Sequence, residues 1–412
     1  MDRFEIKVKE IEKDLKALVE KEKYSLRHIH WFLRNYIFRE LGKKPALRNQ
    51  ILKLVYVFPD LDNSSIFCKH LIEYLKQADC HPWLSDAVNS LSQNSIGRKF
   101  LYALTSWGIK NFAHHFIIDP SDLNKVLSKL QKYGAEYSLD ILGEEVLSED
   151  EAKFYKQRYF WLIDKLIYSN CKIDISLKIS SLYSQFSPLA EAKTKEVVVQ
   201  RLREILSYAK LHDGKVTIDM EQYEFRGITL SIFQEVLANH FPDWQELGIA
   251  YQTYLKDSYE VFLKFTQWLK KNMLSCNIRL VKGAYWDYEI ELASRYGWPI
   301  PVYTQRSQTD ENFNKCVDIA LSCYPHVKTA VATHNLSSIA YAIAKHQSLK
   351  LPAEALEIQV LYGLGMPLIK PIGKLGYKVK VYVGIGDLLE GIKFLARRIL
   401  ENSSQASSAF FK

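Results

Sequence analysis

The stretch Ile278-Arg279-Leu280-Val281-Lys282-Gly283-Ala284-Tyr285-Trp286-Asp287 decides how the chain is read. It opens as a short apolar run and ends in a cation, a glycine, two aromatics and a carboxylate. A strand buried on both faces of a parallel sheet reads as such a run. In an α/β barrel, functional groups collect where the strand stops. Arg279 and Lys282 supply fixed positive charge, Gly283 lets the backbone pass close to a ligand, and Tyr285 and Trp286 offer flat faces. Together they suit the wall of a site for a large, planar, anionic cofactor. A strand end running into a solvated loop is the competing reading of this segment alone.

On either side of this stretch, from Gly134 onward, short apolar runs alternate with helical stretches, the pattern of βα units around a parallel sheet. The runs fall at 136–142, 174–180, 215–220, 247–253, 277–283, 328–333, 357–362 and 378–383. Eight is the number a closed (βα)8 TIM-like barrel needs. Ile300-Pro301-Val302-Tyr303-Thr304 contains proline, which suits no central strand, and is read as an excursion after the fifth strand. Ser148 followed by Glu151 reads as a helix cap after the first strand. The expected organisation is an all-helical arm over 1–133, a barrel over 134–402 and a flexible Ser-rich tail over 403–412. In the arm, Ile6, Ile11, Leu15, Leu18 and Val19 recur at helical spacing. Further helices are expected near 47–57, 63–77, 82–92, 96–112 and 120–133, with Pro59, Pro82 and Pro120 as breaks.

Composition narrows the function classes. The chain has 412 residues, 48% hydrophobic and 25% charged, with a net charge of +8. That is ordinary for a globular protein with a large core. No basic cluster is interleaved with aromatics, which argues against nucleic acid as a partner. No run of eighteen apolar residues predicts a transmembrane helix, and the charged N-terminus lacks the apolar core of a signal peptide. Six cysteines without C-x-x-C spacing read as reduced cytoplasmic thiols. His28 and His30 have no third ligand nearby, so no metal site is expected.

The candidate functional residues all lie at or just past predicted strand ends: Lys178, Asp219, Gln252, Arg279 to Tyr285, Thr333-His334-Asn335, Leu361 and Tyr382. Each taken singly reads as structural more readily than as functional; convergence on one mouth is what makes them a site. Arg397 and Arg398 follow on a predicted helix, with Glu401 three to four residues on. That spacing fits an ordinary helical salt-bridge cluster or, if the helix crosses the pocket, a bidentate carboxylate clamp. No G-x-G-x-x-G follows a strand, so no Rossmann site is expected.

Taken in order, Leu177-Lys178-Ile179-Ser180, Thr217-Ile218-Asp219-Met220-Glu221, the opening stretch, Ala332-Thr333-His334-Asn335, Val360-Leu361-Tyr362-Gly363-Leu364-Gly365 and Phe394-Leu395-Ala396-Arg397-Arg398-Ile399-Leu400-Glu401-Asn402 resemble the proline dehydrogenase family. The likeness is to the flavin domain of the bacterial bifunctional proline utilisation proteins. The resemblance implies FAD-dependent oxidation of L-proline to 1-pyrroline-5-carboxylate in proline catabolism, with hydride passing to flavin N5 and electrons to a membrane quinone. It implies that Lys178, Arg397 and Arg398 bind the substrate carboxylate. Asp219, Tyr285, Leu361 and Tyr382 would wall the ring, and Glu401 would help close the site. Arg279 would contact the flavin near N5. Gln252, Lys282, Gly283, Ala284, Trp286, Thr304, Thr333, His334 and Asn335 would cradle the rest of the cofactor. A cytoplasmic enzyme peripherally bound to the inner membrane is implied, together with a pyrroline-5-carboxylate dehydrogenase acting in trans or as a C-terminal domain.

The chain departs from the family pattern in three places. Phe394 stands where tyrosine is usual, Val383-Gly384-Ile385-Gly386 replaces an apolar-Pro turn, and Met366-Pro367 replaces a Glu-Pro pair. Gly384 and Gly386 are read as the turn into the arginine helix. Two rivals remain: dehydrogenation of hydroxyproline or another cyclic amino acid, and a catalytically silent barrel serving as a scaffold or partner-binding module.

Overall fold

The structure, a computed structural model, describes residues 2–23, 46, 50, 53, 63–77, 82–113, 116–143 and 146–386. Its sheet has nine parallel strands: β1 (Ile117–Ile118), β2 (Glu136–Ile141), β3 (Asp174–Leu177), β4 (Lys215–Ile218), β5 (Leu247–Gln252), β6 (Cys276–Val281), β7 (Val327–Ala332), β8 (Leu356–Leu361) and β9 (Lys378–Ile385). Strands β2 to β9 pair in sequence order, and β9 bonds both β8 and β2, so the eight close into a barrel. All eight predicted strands are present.

The closure follows from alternation along each strand. Leu139, Ile141, Ile175, Leu177, Ile218, Ile249, Ile278, Leu280, Val331, Ile358, Val381 and Val383 are buried in one continuous apolar core with the surrounding helices. The intervening residues, among them Ser138, Ser176, Arg279, Gln359 and Lys380, are buried and polar. The core therefore lies between strands and helices, and the barrel's inside is a column of hydrogen-bonded polar groups. The outer helices are α6 (Glu149–Tyr168), α7 (Glu191–Leu211), α8 (Tyr223–Asn239), α9 (Ser258–Lys271), α11 (Arg306–Ser322), α12 (Leu336–Ser348) and the short α13 (Ile369–Lys374). A capping box at Ser148 and Glu151 starts α6, as the sequence predicts. The extra helix α10 (Trp286–Tyr296) and the loop after it leave and rejoin the barrel between β6 and α11, and Val302 bridges back to Leu255. The Pro-containing run is thus an excursion.

The N-terminal region supplies α1 (Arg3–Lys23), α2 (Ser64–Gln77), α3 (Pro82–Ser92), α4 (Ser95–Ala113) and α5 (Leu123–Lys132). Leu15 and Val19 of α1 are buried in the barrel's apolar core, and Phe4 meets Tyr341 of α12 edge to face at 5.3 Å. Helices α2, α3 and α4 share a small core of their own, built on Phe67, Cys68, Leu71, Val88 and Leu101. The helix expected near 47–57, and His28 and His30, fall largely or wholly outside the described residues.

Two strand ends differ from expectation. β3 stops at Leu177 rather than Ser180, because the Ser181 hydroxyl donates to the Lys178 carbonyl at 2.7 Å and residues 179–182 curl into a tight turn. Local serine bonding competes with the ladder there. β9 runs on to Ile385: Gly384 and Ile385 pair with Asp140 and Ile141 of β2, and with Ile117 and Ile118 of β1. Gly384 is therefore strand, not turn. A Cβ at Gly384 would sit 3.0 Å from the Leu142 side chain.

At the N-terminal end of the barrel, Lys380 is 2% exposed, with its ammonium 2.6 Å from Asp174 Oδ2 and 2.9 Å from Glu357 Oε2. Gln359 donates to the other Glu357 oxygen at 2.6 Å. Burial alone would raise the Glu357 carboxyl, but Lys380 and Lys215 outweigh it and hold the group at about 2.

Candidate active site

Arg279 is the hub of the barrel's interior. It is 4% exposed and lies within β6, two residues before the strand ends. Its Nη1 donates to Asp219 Oδ1 at 2.7 Å, its Nε to Gln359 Oε1 at 2.7 Å, and its Nη2 to Ser176 Oγ at 2.9 Å and Ser138 Oγ at 3.3 Å. Partners from β2, β3, β8 and the end of β4 can meet one guanidinium only across the barrel axis. The Tyr382 ring lies against the guanidinium carbon, 5.0 Å to the centroid.

Above this layer the charges alternate. Asp219 follows β4 and spends one oxygen on Arg279; the other accepts from the Tyr382 hydroxyl at 2.7 Å. Lys178, just past β3, donates to both Asp140 oxygens at 2.8 and 2.9 Å and lies 3.8 Å from Asp219. Burial works against the Lys178 charge, but the Asp140 and Asp219 carboxylates outweigh it and push the ammonium's proton affinity up. The Lys178 side chain keeps a quarter of its surface exposed, while that of Asp140 is 2% exposed. The ammonium is thus fixed by two carboxylates while part of its side chain stays exposed.

The predicted cofactor residues lie on the neighbouring strand ends. Gln252 ends β5 at 2% exposure; its Nε2 reaches the Met220 carbonyl at 3.4 Å, and its Oε1 is buried without a partner among the described residues. Lys282 donates to Asp310, which Arg306 also approaches at 3.6 Å. Gly283 has φ +142°, and a Cβ there would fall 2.4 Å from the Tyr254 ring, so only glycine brings the backbone this close. Ala284 and Tyr285 follow, and Tyr285 caps α10. Trp286 donates its indole N–H to the Tyr303 carbonyl at 2.9 Å, and Thr304 is exposed beside it in the excursion. Asn335 caps α12, its Oδ1 accepting from Ser338 N–H at 3.1 Å, and its own N–H donates to Thr333 Oγ1 at 3.2 Å. His334 Nε2 accepts from the Leu361 N–H at 3.0 Å, which joins the ends of β7 and β8. Arg397, Arg398, Glu401 and Phe394 lie outside the described residues.

The structure adds Asp140, Ser138, Ser176 and Gln359, which sequence reading passed over. The signal was present: in Tyr137-Ser138-Leu139-Asp140-Ile141 the two polar residues share one strand face. Among the described residues no cluster suits a metal ion, and no helix is long and apolar enough to cross a membrane.

Fold and mouth together define a (βα)8-barrel protein with a cluster of interlocked charges, Asp140, Lys178, Asp219 and Arg279, toward the C-terminal end of its strands. The chain belongs to the proline dehydrogenase family: the family model for proline dehydrogenase matches residues 123–410, and that for the proline utilization A N-terminal domain matches 5–116. It is similar to proline dehydrogenase 1 of Bacillus subtilis, 31% identical over 321 residues, covering 77% of this chain and 94% of that one. It is 29% identical over 295 residues to the bifunctional protein PutA of Klebsiella aerogenes, covering 68% of this chain and 22% of that protein. The crystal structure of proline utilization A from Bdellovibrio bacteriovorus, inactivated by N-propargylglycine, superposes with a TM-score of 0.83 at 28% identity. That match covers 98% of this chain and 42% of the other, so the chain spans less than half the length of that relative.

Proposed function

We propose that the chain is an FAD-dependent proline dehydrogenase that oxidises L-proline to 1-pyrroline-5-carboxylate and passes the electrons to a membrane quinone. The observation that carries this is the mouth's charge order, Asp140–Lys178–Asp219–Arg279, in a barrel of this family. Lys178, joined by Arg397 and Arg398, binds the carboxylate. Asp219, Tyr285, Leu361 and Tyr382 shape the ring pocket. Asp219 also fixes the Tyr382 hydroxyl, which leaves little room for a ring hydroxyl and favours proline over hydroxyproline.

The residues present fit the cofactor. The unpartnered Gln252 oxygen asks for a donor, the Gly283 backbone makes a cradle that any Cβ would fill, and Lys282 with Arg306 suits a diphosphate. Ala284, Trp286, Thr304, Thr333, His334 and Asn335 complete the cradle. Bound there, FAD would supply the hydride acceptor for the ring carbon beside the substrate nitrogen. Arg279, immobilised by its four partners, keeps positive charge at the base of the mouth without reorganisation. His334 is a cofactor contact rather than a base, since its Nε2 lone pair is occupied by the Leu361 N–H. A division into a helical arm, a barrel and a tail, peripheral membrane association and a pyrroline-5-carboxylate dehydrogenase partner belong to the same reading.

The test is the visible absorption spectrum of the purified protein before and after anaerobic L-proline. A flavin band that bleaches with proline but not with hydroxyproline is expected. A flavin band unmoved by proline would refute the substrate, and a colourless protein that FAD cannot reconstitute would favour the scaffold reading.

A further inference from the structure

Glu221 sits two residues past Asp219 and is 7% exposed. One of its oxygens accepts from the Ser180 hydroxyl at 2.7 Å, and the other is buried without a partner among the described residues. It stands three residues past Ile218, as Gln252 stands three past its ladder partner Ile249. Ser180 belongs to the turn over 179–182 that Lys178 opens, so the Ser180–Glu221 bond spans from the loop after β3 to the loop after β4. The turn is also tied at its root, where Tyr159 OH meets the Lys178 N–H at 3.2 Å and Ser181 bonds the Lys178 carbonyl at 2.7 Å, and at its far end, where Arg201 Nη1 donates to the Leu182 carbonyl at 2.6 Å and Ile179 and Leu182 are buried in the core; the Ser180–Glu221 bond is what joins its middle to the loop after β4.

We propose that Glu221 is a positioning residue for the substrate carboxylate, fixing through Ser180 the turn that presents Lys178. The inference rests on the proline reading of the site. Burial pushes the Glu221 carboxyl up and Asp219 adds to this, against the downward pull of Ser180 and Lys178. Asp140 and Asp219 are the carboxylates that contact Lys178 among the described residues.

The experiment uses flavin-loaded protein and two matched ligands that cannot be oxidised as proline is: cyclopentanecarboxylate and its neutral counterpart cyclopentylmethanol. Binding is read from the perturbed flavin spectrum. Glu221→Ala is expected to weaken cyclopentanecarboxylate by about tenfold, the scale of one buried hydrogen bond left half-made. Cyclopentylmethanol should bind as before, and the proline KM should rise far more than kcat falls. Glu221→Gln, neutral and able to accept from Ser180, should restore carboxylate binding. Ser180→Ala breaks the same bond from the other side and should reproduce the selective loss, which keeps the test open if Glu221→Ala does not fold. Equal weakening of both ligands, undiminished carboxylate binding in a folded Glu221→Ala or Ser180→Ala, or failure of Glu221→Gln to rescue would each overturn the inference. Wild-type protein that retains flavin yet neither binds cyclopentanecarboxylate nor bleaches with proline would instead overturn the reading beneath it.

Discussion

Replacing Lys380 by methionine tests whether the polar column inside the barrel is held by its ions. The ammonium is 2.6 Å from Asp174 and 2.9 Å from Glu357, and its side chain is 3% exposed. Methionine keeps most of the volume and removes the charge, which leaves the buried Asp174 and Glu357 carboxylates without the ammonium they share. The size of the effect can be worked from Glu357. An ordinary glutamate titrates near 4.5 and Glu357 at about 2, a gap that corresponds to about 3 kcal/mol of native-state stability at neutral pH. Lys380 is the foremost of the groups that overcome burial to produce it, so most of that amount should disappear, in line with the 3–5 kcal/mol typical of breaking a buried pair. The sign with pH follows. Because the folded value is depressed, the Glu357 contribution is fully present above 4.5 and is lost as pH falls toward about 2. Urea unfolding followed by circular dichroism, with wild type and Lys380→Met compared from neutral pH downward, measures both. The variant should unfold at clearly lower urea at neutral pH, and the two midpoints should converge in acid. A neutral-pH loss below about 1 kcal/mol would refute the reasoning, because it would place Lys380 among exposed pairs of little worth.

Three further outcomes follow from the mouth. Gly283→Ala puts a Cβ into the Tyr254 ring at a φ of +142°, so the purified protein should carry less than about half the wild-type flavin, read from its absorbance ratio. Asp140→Asn removes the charge that holds Lys178 in place; the proline KM should rise by about tenfold while flavin content stays unchanged. Arg398→Met should raise the proline KM strongly with flavin retained, and a normal KM in steady-state kinetics would remove Arg398 from the carboxylate site.

The barrel was legible because each strand is buried on both faces or nearly so and stands out as an apolar run between polar helices. Ile278 to Val281 is the clearest case. What alternation hides is depth. Arg279 reads as a cation at a strand end, whereas the structure sets it within β6, beneath the mouth, with its partners on four other segments. Those partners are far apart in sequence, and no local pattern announces that Ser138 and Gln359 face the same guanidinium. Asp140 was missed for a related reason: a lone carboxylate in a strand has meaning only once Lys178 is known to sit across from it. β1 escaped because two residues between Phe116 and Asp119 carry no periodicity; only the edge of β9 left vacant beyond Tyr382 makes them a strand.

The ladder that joins β9 to both β2 and β8 has a consequence for how the chain reaches this shape. Residues 136–141 pair with 380–385, so the ring is completed by segments almost 250 positions apart in the sequence. Until Lys378–Ile385 has left the ribosome, β2 and β8 each present a bare edge of N–H and C=O groups, open to pairing with any other extended chain. Closure is therefore a late and concentration-sensitive event. Loss of the last strand would leave not a smaller barrel but an open sheet with two adhesive margins, missing the tyrosine that orders Asp219.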